Sequence, residues 1–166
     1  MAADSESVLG KPTARVDALA KVPGEALFPG DIDMPEQAYM KILFAGRPHA
    51  VIRRLDPSAA EAMPGVLAVF TAKDVPVNEY GLLLPDQPVL CGLGSAKPYA
   101  DRVRFVGDQV ALVVAESEAL AAAAVRRIEV DYEDLPVVTD ALAARQAGAS
   151  LVHPDRESNV FSHNRI

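Results

Sequence analysis

The chain has no tryptophan and a single cysteine in 166 residues. With only Cys91 available, an internal disulfide is excluded. An iron–sulfur cluster normally takes four thiolates, so this chain cannot hold one by itself. The histidines, His49, His153 and His163, are far apart in sequence and lack the paired-ligand spacing of a structural zinc site. Aromatic residues make up only 5% of a chain that is 50% hydrophobic, so its core must be packed from Ala, Val and Leu. Basic residues are outnumbered: 16 Lys and Arg stand against 23 Asp and Glu, for a net charge of −7 and a pI near 4.9. An acidic chain without a basic stripe repels phosphate backbones and anionic membranes. No apolar run approaches the length of a membrane span. The opening residues, Met1 to Ser7, lack the basic and apolar regions of a signal peptide, so a cytoplasmic protein is expected.

What is present reads as short strands mixed with about three helices. Residues 1–9 read as a flexible leader, and Gly10 to Pro23 as irregular structure with two prolines. Gln37 to Ala45 alternates through Ala38, Met40, Ile42 and Phe44, which predicts a strand. Gly46-Arg47-Pro48 breaks it and His49 to Leu55 resumes, so the pair is expected to form a hairpin. Asp56 to Met63 predicts a short helix with Asp56 as N-cap and Pro57 at the first position, ended by Pro64-Gly65. Val66 to Thr71 is a β-branched strand. Val103 to Val106 and Gln109 to Ala115 read as two strands around a tight turn, the second buried on both faces. Ser117 caps an Ala-rich helix through Arg127, with Glu118 and the Arg126-Arg127 pair suited to its dipole. Ile128 to Tyr132 alternates as a strand, and Thr139-Asp140 opens a second Ala-rich helix that stops near Gly148. Only one stretch has βαβ spacing, so the fold class is α+β. Residues 74–97, rich in Pro and Gly around Leu82-Leu83-Leu84, form a loop too long to be incidental. Its apolar run needs a cover, from this domain or from a partner.

Four groups of residues invite a chemical reading, and each has a plainer one. Met40-Lys41 superficially resembles a biotin-carrying dipeptide, but Lys41 lies inside an alternating strand, where a solvated lysine is expected. Cys91-Gly92-Leu93-Gly94-Ser95 offers backbone N–H groups to an anion. It lacks the strand, the helix and the third glycine of a dinucleotide fingerprint, so a simple loop is expected. Cys91 as a nucleophile needs a base, which only a tertiary contact with His49 or His153 could supply. Glu129, Asp131 and Glu133 share one strand face beside Asp134 and suit a hard cation or acid–base work. The alternation of Ile128, Val130 and Tyr132 already explains them as a solvated face. His153, His163 and Asp155 lie in a polar tail, 150–166, where adventitious metal binding is the most they suggest. From the residues alone, no catalytic, cofactor-binding or metal residue is assigned.

The motifs taken together resemble a known family. Gly10-Lys11-Pro12, Arg15, Asp17-Ala18, Lys21-Val22 and Gly24 match its opening segment, and Phe28 with Asp31 continues it. Arg47-Pro48-His49-Ala50 resembles its Ser-Pro-His-Ala element, with Val51 where a second His often stands. Leu55-Asp56, Met63-Pro64-Gly65-Val66, Val103-Arg104-Phe105-Val106-Gly107-Asp108-Gln109-Val110-Ala111, Asp131-Tyr132-Glu133 and Leu135-Pro136 follow in order. Val152-His153-Pro154 and Asn159-Val160 resemble the end of the domain. The chain thus resembles, from about Gly10 onward, the N-terminal α/β-hammerhead domain of the molybdopterin-binding large subunit in the xanthine dehydrogenase and aldehyde oxidase family.

The resemblance implies a hammerhead domain over residues 10–149, with 150–166 as an extended tail leading toward cofactor-binding domains. In that family the pterin-binding glycine-rich segments, the catalytic glutamate and the substrate pocket lie beyond this domain. The chain is therefore expected to be a fragment, or a separately encoded subunit, of a molybdenum hydroxylase, with a structural and assembly role and no catalysis of its own. Molybdenum–molybdopterin, iron–sulfur clusters and FAD are expected in the complete enzyme and none in this chain. The expected partners are the molybdopterin-binding domains and the iron–sulfur and flavin subunits, with an exposed apolar patch around Leu82–Leu84 and along one sheet face. The rival expectations are an independent small-molecule or protein-binding module with a closed surface, and an enzyme using Cys91 with a histidine.

Overall fold

The apolar run Gln109–Ala115 (β5) becomes the central strand of a three-stranded sheet, flanked by Tyr39–Phe44 (β1) and Val66–Phe70 (β3). Both neighbours run antiparallel to it, Ile42 opposite Leu112 on one side and Val69 opposite Val113 on the other. A second antiparallel sheet has Ala50–Asp56 (β2) at its centre, between Arg102–Val103 (β4) and Glu129–Asp134 (β6). These elements come from a computed structural model that describes Gly10, residues 12–82 and residues 84–165. The expected leader, 1–9, lies outside the described residues, as do Lys11, Leu83 and Ile166. The described residues up to Gln37 and those from Ala38 onward form two compact units. Two small antiparallel sheets with short helices make the α+β hammerhead expected.

Helices form where the sequence supplies caps and small residues. Among the described residues four α-helical segments occur: Ala18–Lys21 (α1), Ser58–Glu61 (α2), Glu118–Val125 (α3) and Ala141–Ala144 (α4). The Ser117 hydroxyl accepts the Leu120 amide and starts α3, and the Asp140 carboxylate accepts the Ala143 amide and starts α4. Ala121 and Ala124 are fully buried, so α3 lies close against β1, β3 and β5. Gly65 permits this approach: its φ is +81°, and a Cβ there would meet the Leu120 side chain at 2.7 Å. Asp56 ends β2 and its Oδ1 accepts the Ser58 amide at 3.0 Å, but the N-cap of α2 is Pro57, one residue later than expected, because its carbonyl accepts the first helical amide, that of Glu61. In the first unit, α1 gives one turn to a segment expected to be irregular, and Asp17 pairs there with Lys21 and Arg15.

Neither expected hairpin exists. β1 pairs with β5, whereas β2 pairs with β4 and β6, so the break at Gly46-Arg47-Pro48 carries the chain from one sheet to the other. The segment between β4 and β5 makes the same passage. Asp108 Oδ2 accepts the amides of Arg104 at 2.5 Å and Phe105 at 3.2 Å, which curls 104–108 instead of extending it. The two crossings bind each other, Ala45 N–H to Asp108 O at 2.8 Å and Gly46 N–H to Val106 O at 3.0 Å. Ala45, Ala50, Ile52, Cys91, Val103 and Val110 bury themselves at this corner. A second core, of Ala60, Ala111, Val113, Ala124 and Ile128, lies beneath α3.

Candidate functional site: an open sheet face

The sheet β1-β5-β3 has two unequal faces. Opposed residues of an antiparallel pair share a face. Leu43 with Ala111, and Val69 with Val113, face the α3 core. Met40 with Val114, Ile42 with Leu112, and Ala68 and Phe70 on β3 occupy the other face. On that side Met40, Phe44 and Phe70 are 41–58% exposed, and so is Leu67 at the β3 bulge. Leu112 and Val114 are only half-buried, so β5 is not covered on both faces as expected. The alternation that predicted β1 thus points outward, while Leu43 supplies its contact with the core. Exposed apolar area of this kind, gathered on one face, marks a surface suited to contact with another apolar surface.

The residues 74–97 form a loop with a firm neck and an apolar tip. Asn78 is buried, its Nδ2 donating to Leu90 O at 2.8 Å and Ser95 Oγ at 3.0 Å, its Oδ1 accepting the Leu90 amide at 2.9 Å. Tyr80 and Gln87 exchange both backbone hydrogen bonds above it. Lys97 Nζ donates to Pro85 O and pairs with Glu79. Beyond this neck Leu82 is fully exposed and Leu84 is exposed at the margin. The third leucine of the expected patch, Leu83, lies outside the described residues.

The other sequence-level candidates are accounted for by their neighbours. Lys41 stands on the α3 side of its sheet, opposite Val113 and away from Met40, Ile42 and Phe44, with its side chain solvated as expected. Its Nζ reaches Glu118 Oε1 at 2.9 Å across the first turn of the helix. Cys91 is buried, and its thiol donates to Arg102 O at 3.7 Å. Burial pushes the thiol up to about 12, with the Asp108 charge adding to it. No histidine hydrogen-bonds Cys91 among the described residues. Gly92 and Gly94 make room for Ala72 and Lys73, where added Cβ atoms would stand 3.1 Å and 2.9 Å from their Cβ atoms. The strand carboxylates are matched across β2: Glu129 and Asp131 to Arg54, Glu133 to Arg53, and Asp134 to Arg47. A bulge between Ile52 and Arg54 exposes Arg53 and Arg54 side by side and so supplies these partners. Among the described residues no three His, Cys, Asp or Glu side chains converge on a metal-sized site, which separates His153, His163 and Asp155 as a ligand set.

His49 was a candidate base only for Cys91, and its own surroundings escaped the sequence. Its Nδ1 donates to Pro136 O at 2.7 Å and its carbonyl accepts the Leu135 amide, joining the start of β2 to the end of β6. Its Nε2 is buried without a partner among the described residues. The Pro-His-Ala element was the only sequence signal for it. No helix among the described residues is long and apolar enough to cross a membrane.

Comparisons with known proteins agree with this architecture. Residues 23–136 match the family described as "Aldehyde oxidase and xanthine dehydrogenase, a/b hammerhead domain". The chain is 41% identical over 150 residues to a Bacillus subtilis protein named as a probable xanthine dehydrogenase component, covering 89% of this chain and 19% of that protein. It is 34% identical to the carbon monoxide dehydrogenase large chain of Afipia carboxidovorans, covering 89% of this chain and 18% of that one. Among solved structures, aldehyde oxidoreductase from Desulfovibrio gigas superposes with a TM-score of 0.75 at 35% identity, over 85% of this chain and 16% of that one. The chain therefore spans about a fifth of these curated relatives, and in sequence and in fold it belongs to the α/β-hammerhead domains of the aldehyde oxidase and xanthine dehydrogenase family.

Proposed function

We propose that this chain serves as the hammerhead part of a molybdenum hydroxylase of the xanthine dehydrogenase and aldehyde oxidase type, and that its contribution is structural. The observation that carries this reading is the open face of β1-β5-β3. Met40, Phe44, Leu67 and Phe70 are apolar residues placed where this domain gives them little cover. A face of this kind is stabilised by a second apolar surface, and the molybdopterin-binding domains of the same enzyme are the partner this reading assigns to it. Iron–sulfur and flavin subunits would complete the assembly, in the cytoplasm. The projecting loop 74–97 would lie against those domains, with Leu82 and Leu84 as its contacts.

Molybdenum–molybdopterin, iron–sulfur clusters and FAD would belong to the complete enzyme. The described residues do not fit a pterin or its metal. The Gly92–Gly94 loop is closed by Ala72 and Lys73, and the one thiol is buried with its proton held. No chemical step is assigned to this chain. The test is to purify it alone and to measure molybdenum, pterin and dye-linked oxidation of aldehydes and N-heteroaromatic compounds. Neither cofactor nor turnover is expected; bound cofactor with turnover would overturn the structural role.

A further inference from the structure

Several cations in the unit 38–166 have a carboxylate within reach. Lys41, Arg47, Arg53, Arg54 and Lys97 all form ion pairs. Arg104 has none among the described residues, although the chain carries an excess of acid and the side chain is half-buried. Its Nη1 donates to Arg102 O at 3.2 Å and its Nη2 to Tyr99 O at 3.5 Å, so two backbone carbonyls fix the plane of the guanidinium. Its Nε is buried and has no partner among the described residues. A guanidinium has five N–H donors in a fixed fork, and a half-buried one with donors to spare gains from an acceptor.

The same guanidinium lines a cleft of about 250 Å³ with Lys97, His153 and Arg156, walled by Pro85 and Pro98. Asp86 and Asp155 also line it. Asp155 lies 4.0 Å from Arg156, and Lys97 is held by Glu79 and Pro85 O. Asp86 turns an oxygen back toward Gly81, 3.3 Å from where a Cβ would stand. Of the three lining cations, Lys97 and Arg156 each have a carboxylate within 4.0 Å, Glu79 and Asp155, so Arg104 is the one left without such a partner among the described residues. His153 feels Arg104 and Arg156 together, and burial with the Arg104 charge holds its imidazole below the ordinary range.

We propose that this cleft binds a small oxyanion, with the carbonyl-anchored Arg104 guanidinium as principal donor and Arg156 as its second. Phosphate and carboxylate groups share the chemistry that such a fork recognises. The site lies apart from the open sheet face and does not depend on the role proposed for that face.

The test is calorimetric titration of the 166-residue chain with inorganic phosphate, and separately with acetate, at an ionic strength held constant with sodium chloride. Saturable phosphate binding is expected, about tenfold weaker in Arg104→Gln, where the fork is lost. Tighter binding of acetate than phosphate would identify the ligand class as a carboxylate and keep the site. Arg156→Gln alters an exposed side chain, so its fold is safe even if Arg104→Gln unfolds. It should weaken binding about threefold through the lost charge. Heats indistinguishable from chloride, or unchanged affinity in both variants, would overturn the proposal.

Discussion

Cys91 and Asn78 show how burial decides what a polar side chain can do. The thiol of Cys91 is enclosed by Ala50, Ile52, Val103 and Val110, and its pKa is pushed up to about 12 from 9.0, chiefly by desolvation. A raised thiol pKa means that the unfolded chain ionises first. Stability from this group is therefore complete below about pH 9.0 and is lost as pH rises toward 12. Iodoacetamide at about pH 8, below the ordinary thiol range, should leave Cys91 unmodified in the folded chain and alkylate it in urea, read by mass spectrometry. Alkylation at equal rates would contradict the burial. Asn78 satisfies the amide and the carbonyl of Leu90 at once. Asn78→Ala strands both in a buried site, at a cost of about 2–3 kcal/mol. Urea denaturation should show that loss, with Ser95→Ala, which removes one Asn78 bond and the acceptor of the Lys97 amide but leaves both Leu90 bonds, costing less, about 1 kcal/mol.

At the scale of the element, the strands were legible and their pairing was not. Period-two alternation and β-branched runs located β1, β2, β3, β5 and β6 to within a few residues, because those signals are local. Two hairpins were expected because the strands adjoin in sequence, but partners are chosen by what the intervening backbone can bond to. The deciding group was the Asp108 side chain, which takes the amides of Arg104 and Phe105 and bends the chain between sheets. A Gly-Asp turn reads the same whether it closes a hairpin or a corner. Asp108→Ala should therefore loosen the corner rather than a ladder, costing about 1.5–3 kcal/mol for two bonds to an ionised acceptor. Amide exchange should quicken at Ala45 and Gly46, whose bonds depend on that turn. Unchanged exchange there would show that the crossing holds without it. The short helices followed the same division: Ser117 and Asp140 were readable as caps, whereas the bond from Asn159 Nδ2 to Ala144 O at the end of the single-turn α4 comes from a distant residue.

For the whole molecule, the ambiguous signal was which side of an alternating strand is the inside. Ala38, Met40, Ile42 and Phe44 looked like a core face, and a lone chain offers no way to tell a core from a contact surface by periodicity. The structure separates them because α3 can cover only one side, and its alanines fit the side of Leu43, Ala111 and Val113. The candidate site was legible only as an expected apolar sheet face; its residues emerged from register, and the Arg104 cleft emerged from ion pairs that no sequence pattern shows. Since the open face is made of side chains that contribute little to the fold, polar replacements there should separate stability from association. Leu67→Lys with Phe70→Lys is expected to shift the urea midpoint little, because both side chains are largely exposed. The same pair should weaken binding to the molybdopterin-binding domains, measured by co-purification of the tagged chain with them, and lower the fluorescence of a bound hydrophobic dye. A control pair on the acidic face, Glu129→Gln with Glu133→Gln, alters the exposed side of β6 and should leave the association intact. Equal loss of association in both pairs would assign the contact to general charge or folding, and retention in both would place it away from this sheet.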